Sequence, residues 1–343
     1  MRAALITGAG QVELRDFPEP TPTDGGVVVD VAYCGVCGTD VHAYAAGHDY
    51  SPAICGHEWT GTVSAVGPSV SRFTEGDRVV VGVPAACGSC APCRAGQTDA
   101  CERTFAFARG RDVNAPAHGG FAPRIAVSVD RVIAAHPDLD DETLAQVEPV
   151  TVALHAVRRS RLREGDVAVI QGAGPVGLTT MQCVRASGAG EVIVVEPTES
   201  RRALAASLGA DVTATPAEAD DVVRDRTGGL GADVVYECVG GGDTIQAGVD
   251  LARRGGSVCL IGLAGGPVSI DPVGWLRKEI TVTAALAYLH DEFALSMDLL
   301  ADGRVRVDRL HTSTTQLDGL ADVLDELAAG GSMQTKVLVK PDW

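Results

Sequence analysis

Four cysteines within one short segment have the spacing of a zinc site. They are Cys87, Cys90, Cys93 and Cys101, in the pattern Cys-x2-Cys-x2-Cys-x7-Cys. The residues between them include almost no large apolar side chain, so the segment cannot build a core, whereas four thiolates around a tetrahedral zinc ion would fix its fold. In a reducing compartment, cysteines at this spacing bind metal more often than they form disulfides. We therefore expect a closed, structural zinc site here.

A second group of residues that can bind a metal lies upstream of these four cysteines, and it differs from them in composition. Cys37 begins the run Cys37-Gly-Thr-Asp-Val-His42, and His57 lies in the run Gly56-His57-Glu58. A catalytic zinc site keeps three protein ligands and leaves its fourth position open for water or substrate, which a cysteine, a histidine and a carboxylate would satisfy. A lone histidine is more often a hydrogen-bonded core residue, but Cys37 upstream favours a ligand. The sequence thus predicts one zinc site of each kind.

The carboxylate ligand of the second site has two candidates. Glu58 follows His57 directly, and Glu148 precedes Pro149 much later in the chain. Both are suitable zinc ligands by type, and each has the alternative interpretation of an ordinary ion-pair partner. The sequence leaves open which of them, or whether both, approach the metal.

A glycine-rich turn follows a run that is typical of a buried strand. The strand is Val167–Gln171, and the turn is Gly172-Ala-Gly174-Pro175-Val176-Gly177. In the pattern Gly-x-Gly-x-x-Gly the first glycine permits the tight turn and the second lets the backbone approach a pyrophosphate. The third allows close packing of the following helix, whose N-terminus faces the phosphates. We expect a dinucleotide-binding site at this turn.

An acidic residue follows the next strand-like run. The run Glu191–Val195 leads into Glu196, about 20 residues beyond the last glycine of the turn, where an acid can bind the ribose 2′-hydroxyl. A carboxylate would repel a 2′-phosphate, so we expect NAD rather than NADP. Arg201 and Arg202 follow closely, and a guanidinium there can hold that phosphate, although adjacent arginines usually form a solvated helix face. NADP is therefore the less favoured cofactor.

Two kinds of secondary structure divide the chain near residue 150. Before it, short strand-like runs between glycines and prolines predict a β-rich domain. From Val167 onward, strand-like runs alternate with helical segments, and a short strand near Val212 brings the expected number of strands to six. This alternation predicts a doubly wound parallel sheet of the α/β class. At 343 residues the chain exceeds one typical core, which agrees with two domains.

Composition disfavours several kinds of partner. The formal net charge of −17 argues against nucleic acid or an anionic membrane surface. No apolar run is long enough to cross a bilayer, and the first residues lack the pattern of a signal peptide. The chain has 10 cysteines, which in a reducing compartment are thiols or metal ligands. We expect a cytoplasmic protein that acts on a small molecule.

Together, these segments resemble the zinc-dependent medium-chain alcohol dehydrogenases, in particular their polyol, butanediol and threonine dehydrogenase branch. The resemblance rests on Cys37-Gly-Thr-Asp-x-His42, Gly56-His57-Glu58-x2-Gly61-x5-Gly67, Gly76-Asp-Arg-Val79, the four-cysteine segment and the glycine-rich turn, in the family's order. It implies a Rossmann dinucleotide-binding domain over residues 153–288. It also implies a β-rich, GroES-like catalytic zinc-binding domain over residues 1–152 and 289–343.

The resemblance also implies a reaction and further residue roles. The protein would be an NAD(P)-dependent zinc alcohol dehydrogenase that transfers a hydride between a secondary alcohol, such as a polyol or vicinal diol, and NAD, with zinc as the Lewis acid. Thr39 and His42 match the family's proton relay, and Arg201 accompanies the acid in NAD-dependent members. Lys336 matches a basic residue that contacts the cofactor phosphates. A homotetramer, or else a dimer, is the implied assembly.

Two other functions fit the same fold, because fold alone does not fix function. One is a zinc-free quinone or enoyl reductase, and the other is a non-catalytic dinucleotide-binding protein. Cys37 and His57 disfavour both, since neither protein needs an open metal site. The substrate cannot be identified from the sequence. Candidates for its pocket are the aromatic residues Tyr44, Tyr50, Trp59 and Phe107.

Overall fold

The computed structural model describes residues 1–47, 50–111, 114–263 and 265–342. The chain forms two compact units. The first comprises Met1–Glu148, Leu289–Ala301 and Val307–Trp343, and the second comprises Pro149–Tyr288 and Asp302–Arg306.

The strands of the described residues fall into three sheets. In chain order they are β1 (Arg2–Gly8), β2 (Gln11–Asp16), β3 (Gly26–Gly35), β4 (Glu58–Val66), β5 (Arg78–Val81), β6 (Arg124–Ser128), β7 (Val132–Ala134), β8 (Val167–Gln171), β9 (Glu191–Val195), β10 (Val212–Ala214), β11 (Ala232–Glu237), β12 (Ala252–Leu260), β13 (Thr281–Ala284), β14 (His311–Thr315) and β15 (Lys336–Val339).

The helices lie mainly between these strands. They are α1 (Gly38–Ala46), α2 (Ala91–Arg94), α3 (Glu102–Ala108), α4 (Asp141–Leu144), α5 (Val147–Arg159), α6 (Pro175–Ala186), α7 (Glu199–Ser207), α8 (Ala219–Arg226), α9 (Gly242–Leu251), α10 (Pro272–Lys278), α11 (His290–Ala301) and α12 (Leu320–Ala328). Among the described residues, we find no helix with both the length and the apolar character needed to span a membrane.

The first unit is organised around a mostly antiparallel sheet. The strand order is β14-β15-β3-β4-β5-β7, with β6 also paired to β3, while β1 and β2 form a separate antiparallel pair. Val27, Val29 and Val31 of the long strand β3 belong to the core of this unit. The same core contains Trp59 and Phe121, which are 1% and 0% exposed. This unit is the predicted β-rich domain, and β15 near the C-terminus completes its sheet.

The second unit contains a six-stranded sheet in the order β10-β9-β8-β11-β12-β13. Every strand pairing in it is parallel. The chain runs outward from β8 to β10 and then returns to β11 beside β8, so the strand order reverses between β8 and β11. Ligands of such sheets bind at the carboxyl ends of the strands at this reversal. The predicted doubly wound sheet is confirmed.

One lysine terminates helix α9 of this unit. Nζ of Lys278 donates to the carbonyl oxygens of Val249, Asp250 and Ala252 at 2.9, 2.6 and 2.8 Å. The last carbonyls of a helix have no partner within the helix and carry partial negative charge, so one ammonium with three protons satisfies three of them. A planar guanidinium cannot point three donors at one such cluster in the same way.

We expect Lys278→Met to lower the free energy of unfolding by about 1–3 kcal/mol, because it leaves partly buried carbonyls without their charged donor. Urea unfolding followed by circular dichroism measures the change. Lys278→Arg should recover only part of the loss. The exposed neighbour Arg277, replaced by methionine, is the matched control and should change the stability by less than about 0.5 kcal/mol. Equal effects of Lys278→Met and Arg277→Met would contradict this account.

Candidate active site

The register of the main sheet in the first unit brings the predicted ligands together. Strands β3 and β4 are antiparallel neighbours, and Gly35 lies opposite Glu58. Cys37 follows the end of β3, and His57 immediately precedes β4. As a result, one ligand atom from each of Cys37, His57 and Glu58 lies within 4.8 Å of the others. The cluster therefore follows from the pairing of two strands.

Gly35 makes space for the carboxylate of Glu58. A Cβ atom at position 35 would lie 2.0 Å from Oε2 of Glu58 and 3.1 Å from its Cβ. The Glu58 side chain is 1% exposed. A side chain larger than glycine at position 35 would therefore displace this carboxylate from the cluster.

A buried carboxylate connects the segments that carry Cys37 and His57. Cys37 is the N-cap of α1, and Asp40, in the first turn, is fully buried. Oδ2 of Asp40 accepts a hydrogen bond from the backbone N–H of Cys37 at 2.9 Å, and Oδ1 accepts one from the N–H of Gly56 at 3.3 Å. The first of these bonds is half of a capping box. Asp40 thus fixes the backbone next to both ligands.

Hydrogen bonds at Nδ1 set the orientation of the His57 ring. Nδ1 lies 3.0 Å from the carbonyl oxygen of Ile54 and 3.4 Å from the hydroxyl of Tyr50. A carbonyl can only accept, so Nδ1 carries a proton. Nε2 is therefore the ring nitrogen through which His57 can bond a metal.

Negative charge dominates the cluster. Burial lowers the pKa of His57, but the charges of Cys37, Asp40 and Glu148 and a hydrogen bond with Cys37 raise it well above its usual range. The same charges favour a divalent cation, and thiolate, imidazole and carboxylate are the ligand types that zinc prefers. The residues present therefore fit a zinc ion. Glu148 is 6% exposed, and its charge also raises the pKa of Lys336.

Lys336 is buried beside the ligand cluster and forms an ion pair with Glu58. Its side chain is 3% exposed, and Nζ donates to Oε1 and Oε2 of Glu58 at 2.9 and 2.6 Å and to the carbonyl of Val36 at 3.0 Å. Burial lowers the pKa of Lys336, but the charges of Glu58, Cys37 and Glu148 and the hydrogen bond with Glu58 together raise it. The ammonium is thus charged, and its three donors are used. In this structure Lys336 neutralises Glu58, and its contact with cofactor phosphates stays a prediction.

Thr39 and His42 lie on helix α1 beside the cluster. Oγ1 of Thr39 is 3.6 Å from Sγ of Cys37. His42 follows three residues later and is exposed. Residues three apart lie on the same face of a helix, so Thr39 and His42 can form a path from the ligand cluster to solvent.

The four-cysteine segment has the geometry of a separate metal site. The Sγ atoms of Cys87, Cys90, Cys93 and Cys101 all lie within 4.8 Å of one another. Backbone N–H groups of Cys87 and Cys90 donate to Sγ of Cys101 and Cys87, respectively, both at 3.3 Å. Hydrogen bonds from Ser89 lower the pKa of Cys87 to about 5, whereas burial raises the pKa of Cys93 to about 12. Four converging sulfurs with N–H donors to two of them suit a tetrahedral zinc ion.

The glycine-rich turn of the second unit has the shape that phosphate binding requires. Gly172 has a φ of +91°, in the left-handed region that favours glycine. A Cβ at Gly177 would lie 1.9 Å from the carbonyl oxygen of Gly172, so only glycine allows helix α6 to pack this closely. A Cβ at Gly174 would meet nothing within 4 Å, so the backbone there is open to a ligand. Pro175 and Val176 form the first turn of α6, where unpaired N–H groups attract phosphate.

Glu196 lies beside this turn at the end of β9. Its side chain is 4% exposed, and Oε2 and Oε1 accept hydrogen bonds from the N–H groups of Ala173 and Thr198 at 2.8 and 3.0 Å. Arg202 donates to the carbonyl oxygens of Glu196 and Pro197 at 2.7 and 2.6 Å, so it supports this bend. Arg201 is half-buried in the first turn of α7.

Glu237 is a residue of this region that the sequence analysis missed. It is fully buried at the end of β11, and its Oε1 accepts from the N–H groups of Val239 and Gly240, both at 2.9 Å, and from Oγ1 of Thr244 at 2.7 Å. A Cβ at Gly172 would lie 2.9 Å from Cγ2 of Val239. Glu237 therefore holds a turn that packs against the glycine-rich turn. The sequence signal for this residue is an acid that ends a buried strand shortly before three consecutive glycines.

The aromatic residues suggested for the substrate pocket serve other purposes. Trp59 and Phe107 are 1% and 7% exposed and belong to the interior. Tyr44 is 4% exposed, and its hydroxyl donates to Oδ1 of Asp325 at 2.6 Å. Tyr50 contacts Asp40 and Ile54. The prediction that Tyr44, Trp59 and Phe107 line a pocket is therefore wrong, because each is packed within the first unit.

Both parts of the chain match described protein families. Residues 23–138 match the alcohol dehydrogenase GroES-like domain, and residues 175–302 match the zinc-binding dehydrogenase family. The chain is 30% identical to the sorbitol dehydrogenase of Bacillus subtilis, over 100% of this chain and 98% of that protein.

Solved structures agree with this assignment. The 2R,3R-butanediol dehydrogenase of Bacillus subtilis has a TM-score of 0.85 and 30% identity, covering 99% of each chain. A protein described as a zinc-binding dehydrogenase from Sinorhizobium meliloti, solved bound to NADP, has a TM-score of 0.83 and 31% identity, also covering 99% of each chain. The chain therefore belongs to the zinc-dependent medium-chain alcohol dehydrogenases, in their polyol dehydrogenase branch.

Proposed function

We propose that the protein oxidises a secondary alcohol of a polyol or vicinal diol to the ketone, with NAD as the hydride acceptor, and catalyses the reverse reduction. The observation that carries this proposal is the cluster of Cys37, His57 and Glu58, whose ligand atoms lie within 4.8 Å of one another. The relatives support the substrate class, since sorbitol is a polyol and 2,3-butanediol is a vicinal diol, both with secondary hydroxyls.

Each chain would hold two zinc ions. Cys37 and His57, with Glu58 or Glu148, would hold the catalytic ion, and the four cysteines of the separate segment would hold the structural one. When bound, the catalytic zinc supplies Lewis acidity that lowers the pKa of a substrate hydroxyl. An open metal site of this composition disfavours both a zinc-free reductase and a non-catalytic dinucleotide-binding protein.

The chain's own residues orient the ligands and move the proton. Asp40 bonds the backbone next to Cys37 and His57, so it keeps the two ligands at a fixed separation. Thr39, 3.6 Å from Sγ of Cys37, would take the hydroxyl proton and pass it to exposed His42, which releases it to water. Lys336 balances the charge of Glu58, which limits the net negative charge of the cluster.

The second unit would bind the dinucleotide. The pyrophosphate would lie at Gly174 and the first turn of α6, and Glu196 would accept hydrogen bonds from the adenosine ribose, with Arg201 beside it. We propose the zinc-binding role for the first unit and the dinucleotide-binding role for the second. Ten cysteines that are all free suit a reducing compartment, so we propose that the protein is cytoplasmic.

We expect two zinc ions per purified wild-type chain. Cys37→Ser and Cys90→Ser should each retain one ion per chain, because each substitution removes a ligand of only one site. Cys37→Ser should lose nearly all oxidation of polyols and vicinal diols. Metal analysis by plasma mass spectrometry and NADH absorbance measure these quantities. Cys183→Ala removes a cysteine outside both clusters and should keep both ions. An unchanged metal content and activity in Cys37→Ser would refute the catalytic site.

The same metal analysis identifies the third ligand. If Glu58 binds the ion, Glu58→Gln should lose one zinc while Glu148→Gln keeps both, and the reverse holds if Glu148 binds it. Retention of both ions by both variants would mean that neither carboxylate is required.

We expect Glu196→Gln to reduce the preference for NAD over NADP, expressed as the ratio of kcat/KM values, by about tenfold, because the negative charge that repels a 2′-phosphate is lost. The substitution keeps the size of the side chain. Exposed Glu199 lies in the first turn of α7, and Glu199→Gln should leave the ratio unchanged. An unaltered ratio in Glu196→Gln would show that another group selects the cofactor.

We also propose a homo-oligomer, a tetramer or else a dimer, formed by pairing β13 with the same strand of a second copy. Within the described residues β13 is an edge strand of its sheet. Large apolar side chains near it are exposed, including Leu263 at 48%, Val273 at 54%, Leu276 at 77% and Leu286 at 59%. An open edge beside an apolar surface favours association about a two-fold axis.

Leu276→Asp should reduce the molar mass measured by light scattering after size-exclusion chromatography, because it places a charge in the proposed interface. Leu230, 74% exposed, lies outside the segment around β13 and is the matched control. Leu230→Asp should keep the wild-type mass. A wild-type protein that runs as a monomer would refute the proposed assembly.

A further inference from the structure

The hydroxyl of Tyr50 lies where three parts of the metal-binding region meet. It donates a short hydrogen bond to Oδ1 of Asp40. It also lies 3.0 Å from the carbonyl oxygen of Ile54 and 3.4 Å from Nδ1 of His57. No motif in the sequence singled out this contact, and the proposed mechanism does not use it.

The protons around Tyr50 can be assigned from the hydrogen-bonding groups themselves. Ile54 offers a carbonyl, which only accepts, and Nδ1 of His57 donates to it at 3.0 Å. The single hydroxyl proton of Tyr50 is then directed at Oδ1 of Asp40, which also receives the N–H of Gly56 at 3.3 Å. The phenol oxygen keeps lone pairs that face Nδ1–H of His57. Each polar group in the set has a partner of the opposite kind.

We propose that Tyr50 is a positioning residue that fixes the ring of His57 for metal binding. This inference rests on the proposed catalytic zinc site. The hydroxyl acts through two groups: it holds the buried carboxylate of Asp40 in place, and it sits beside Nδ1 so that the ring cannot turn away from the carbonyl of Ile54. A histidine whose second nitrogen is held in this way presents Nε2 in one direction, which increases its affinity for a metal.

Phenylalanine at position 50 would keep the packing of the ring and remove only the hydroxyl. Asp40 is fully buried, so loss of one of its donors cannot be replaced readily by water. The carboxylate and the His57 ring would then have more than one arrangement. The second metal site, in the four-cysteine segment, includes none of these residues and provides an internal reference within each molecule.

The test compares metal release from wild type and Tyr50→Phe in the presence of a zinc chelator dye. Cys37→Ser should bind zinc only at the four-cysteine site. Its release curve therefore shows which kinetic phase of the wild-type release belongs to each ion. We expect Tyr50→Phe to release the catalytic ion about tenfold faster, the lower end of the usual effect of removing a group that orients a metal ligand. Release from the four-cysteine site should be unchanged.

Tyr44→Phe is the matched control. It also removes one phenol hydroxyl from a partly buried hydrogen bond to a carboxylate, that of Asp325, and this hydroxyl has no hydrogen bond to a proposed ligand. It should release both ions at the wild-type rates. The visible spectrum of cobalt at the catalytic site provides a second measurement. We expect this spectrum to shift in Tyr50→Phe and not in Tyr44→Phe, because only the first alters the direction of a ligand.

The outcomes separate this inference from the proposed function. Two ions per wild-type chain, with equal release rates and equal cobalt spectra in wild type and Tyr50→Phe, would overturn the role of Tyr50 alone. Equal acceleration in Tyr44→Phe would also overturn it, because the effect would then reflect general loosening. A wild-type chain that binds only the four-cysteine ion would overturn the proposed catalytic site and this inference together.

Discussion

The buried ion pair between Glu58 and Lys336 is the constraint on which the first unit depends most. Two opposite charges, 1% and 3% exposed, meet at 2.6 Å although 278 residues separate them in the chain. Removing one partner of such a pair costs about 3–5 kcal/mol, because it leaves an uncompensated buried charge. The pair forms only when β15 has joined the sheet beside β3. The C-terminal segment must therefore be in place before the charge of Glu58, in the proposed zinc-binding cluster, is neutralised.

The ligand cluster is a consequence of this sheet. Gly35 and Glu58 are opposite each other in β3 and β4, which places Cys37 and His57 at one end of the strand pair. Buried Asp40 then fixes the backbone at both ligands. Residues on strands and helices are held more accurately than residues on loops. Cys37 lies between the end of β3 and the first turn of α1, and His57 lies directly before β4. The glycine-rich turn of the second unit similarly depends on Glu237, which holds the neighbouring turn.

Local spacing in the sequence was sufficient to predict the family, the parallel sheet, the two cysteine-containing clusters and the glycine-rich turn. Each depends on residues that are close in sequence or follow a fixed period. Contacts across long separations in the sequence cannot be predicted in this way. Nothing near Lys336 in the sequence shows that it pairs with Glu58. Nor does the local sequence show that Trp59 and Phe107 are buried, because their burial depends on the assembled sheet. The contact of Tyr50 with Asp40 and His57 likewise depends on how the segment before β4 folds back onto α1.

The three lysines of this chain are Lys278, Lys336 and Lys340. Two of them donate three hydrogen bonds each from Nζ. Lys278 donates to three carbonyl oxygens at the end of helix α9, and Lys336 donates to Glu58 and Val36. Lys340 is exposed, with Nζ 5.4 Å from the centre of the Tyr33 ring. Reagents that acylate lysine amines therefore meet one readily accessible lysine side chain per chain. Coupling through lysine would attach each chain through Lys340, far along the sequence from the glycine-rich turn.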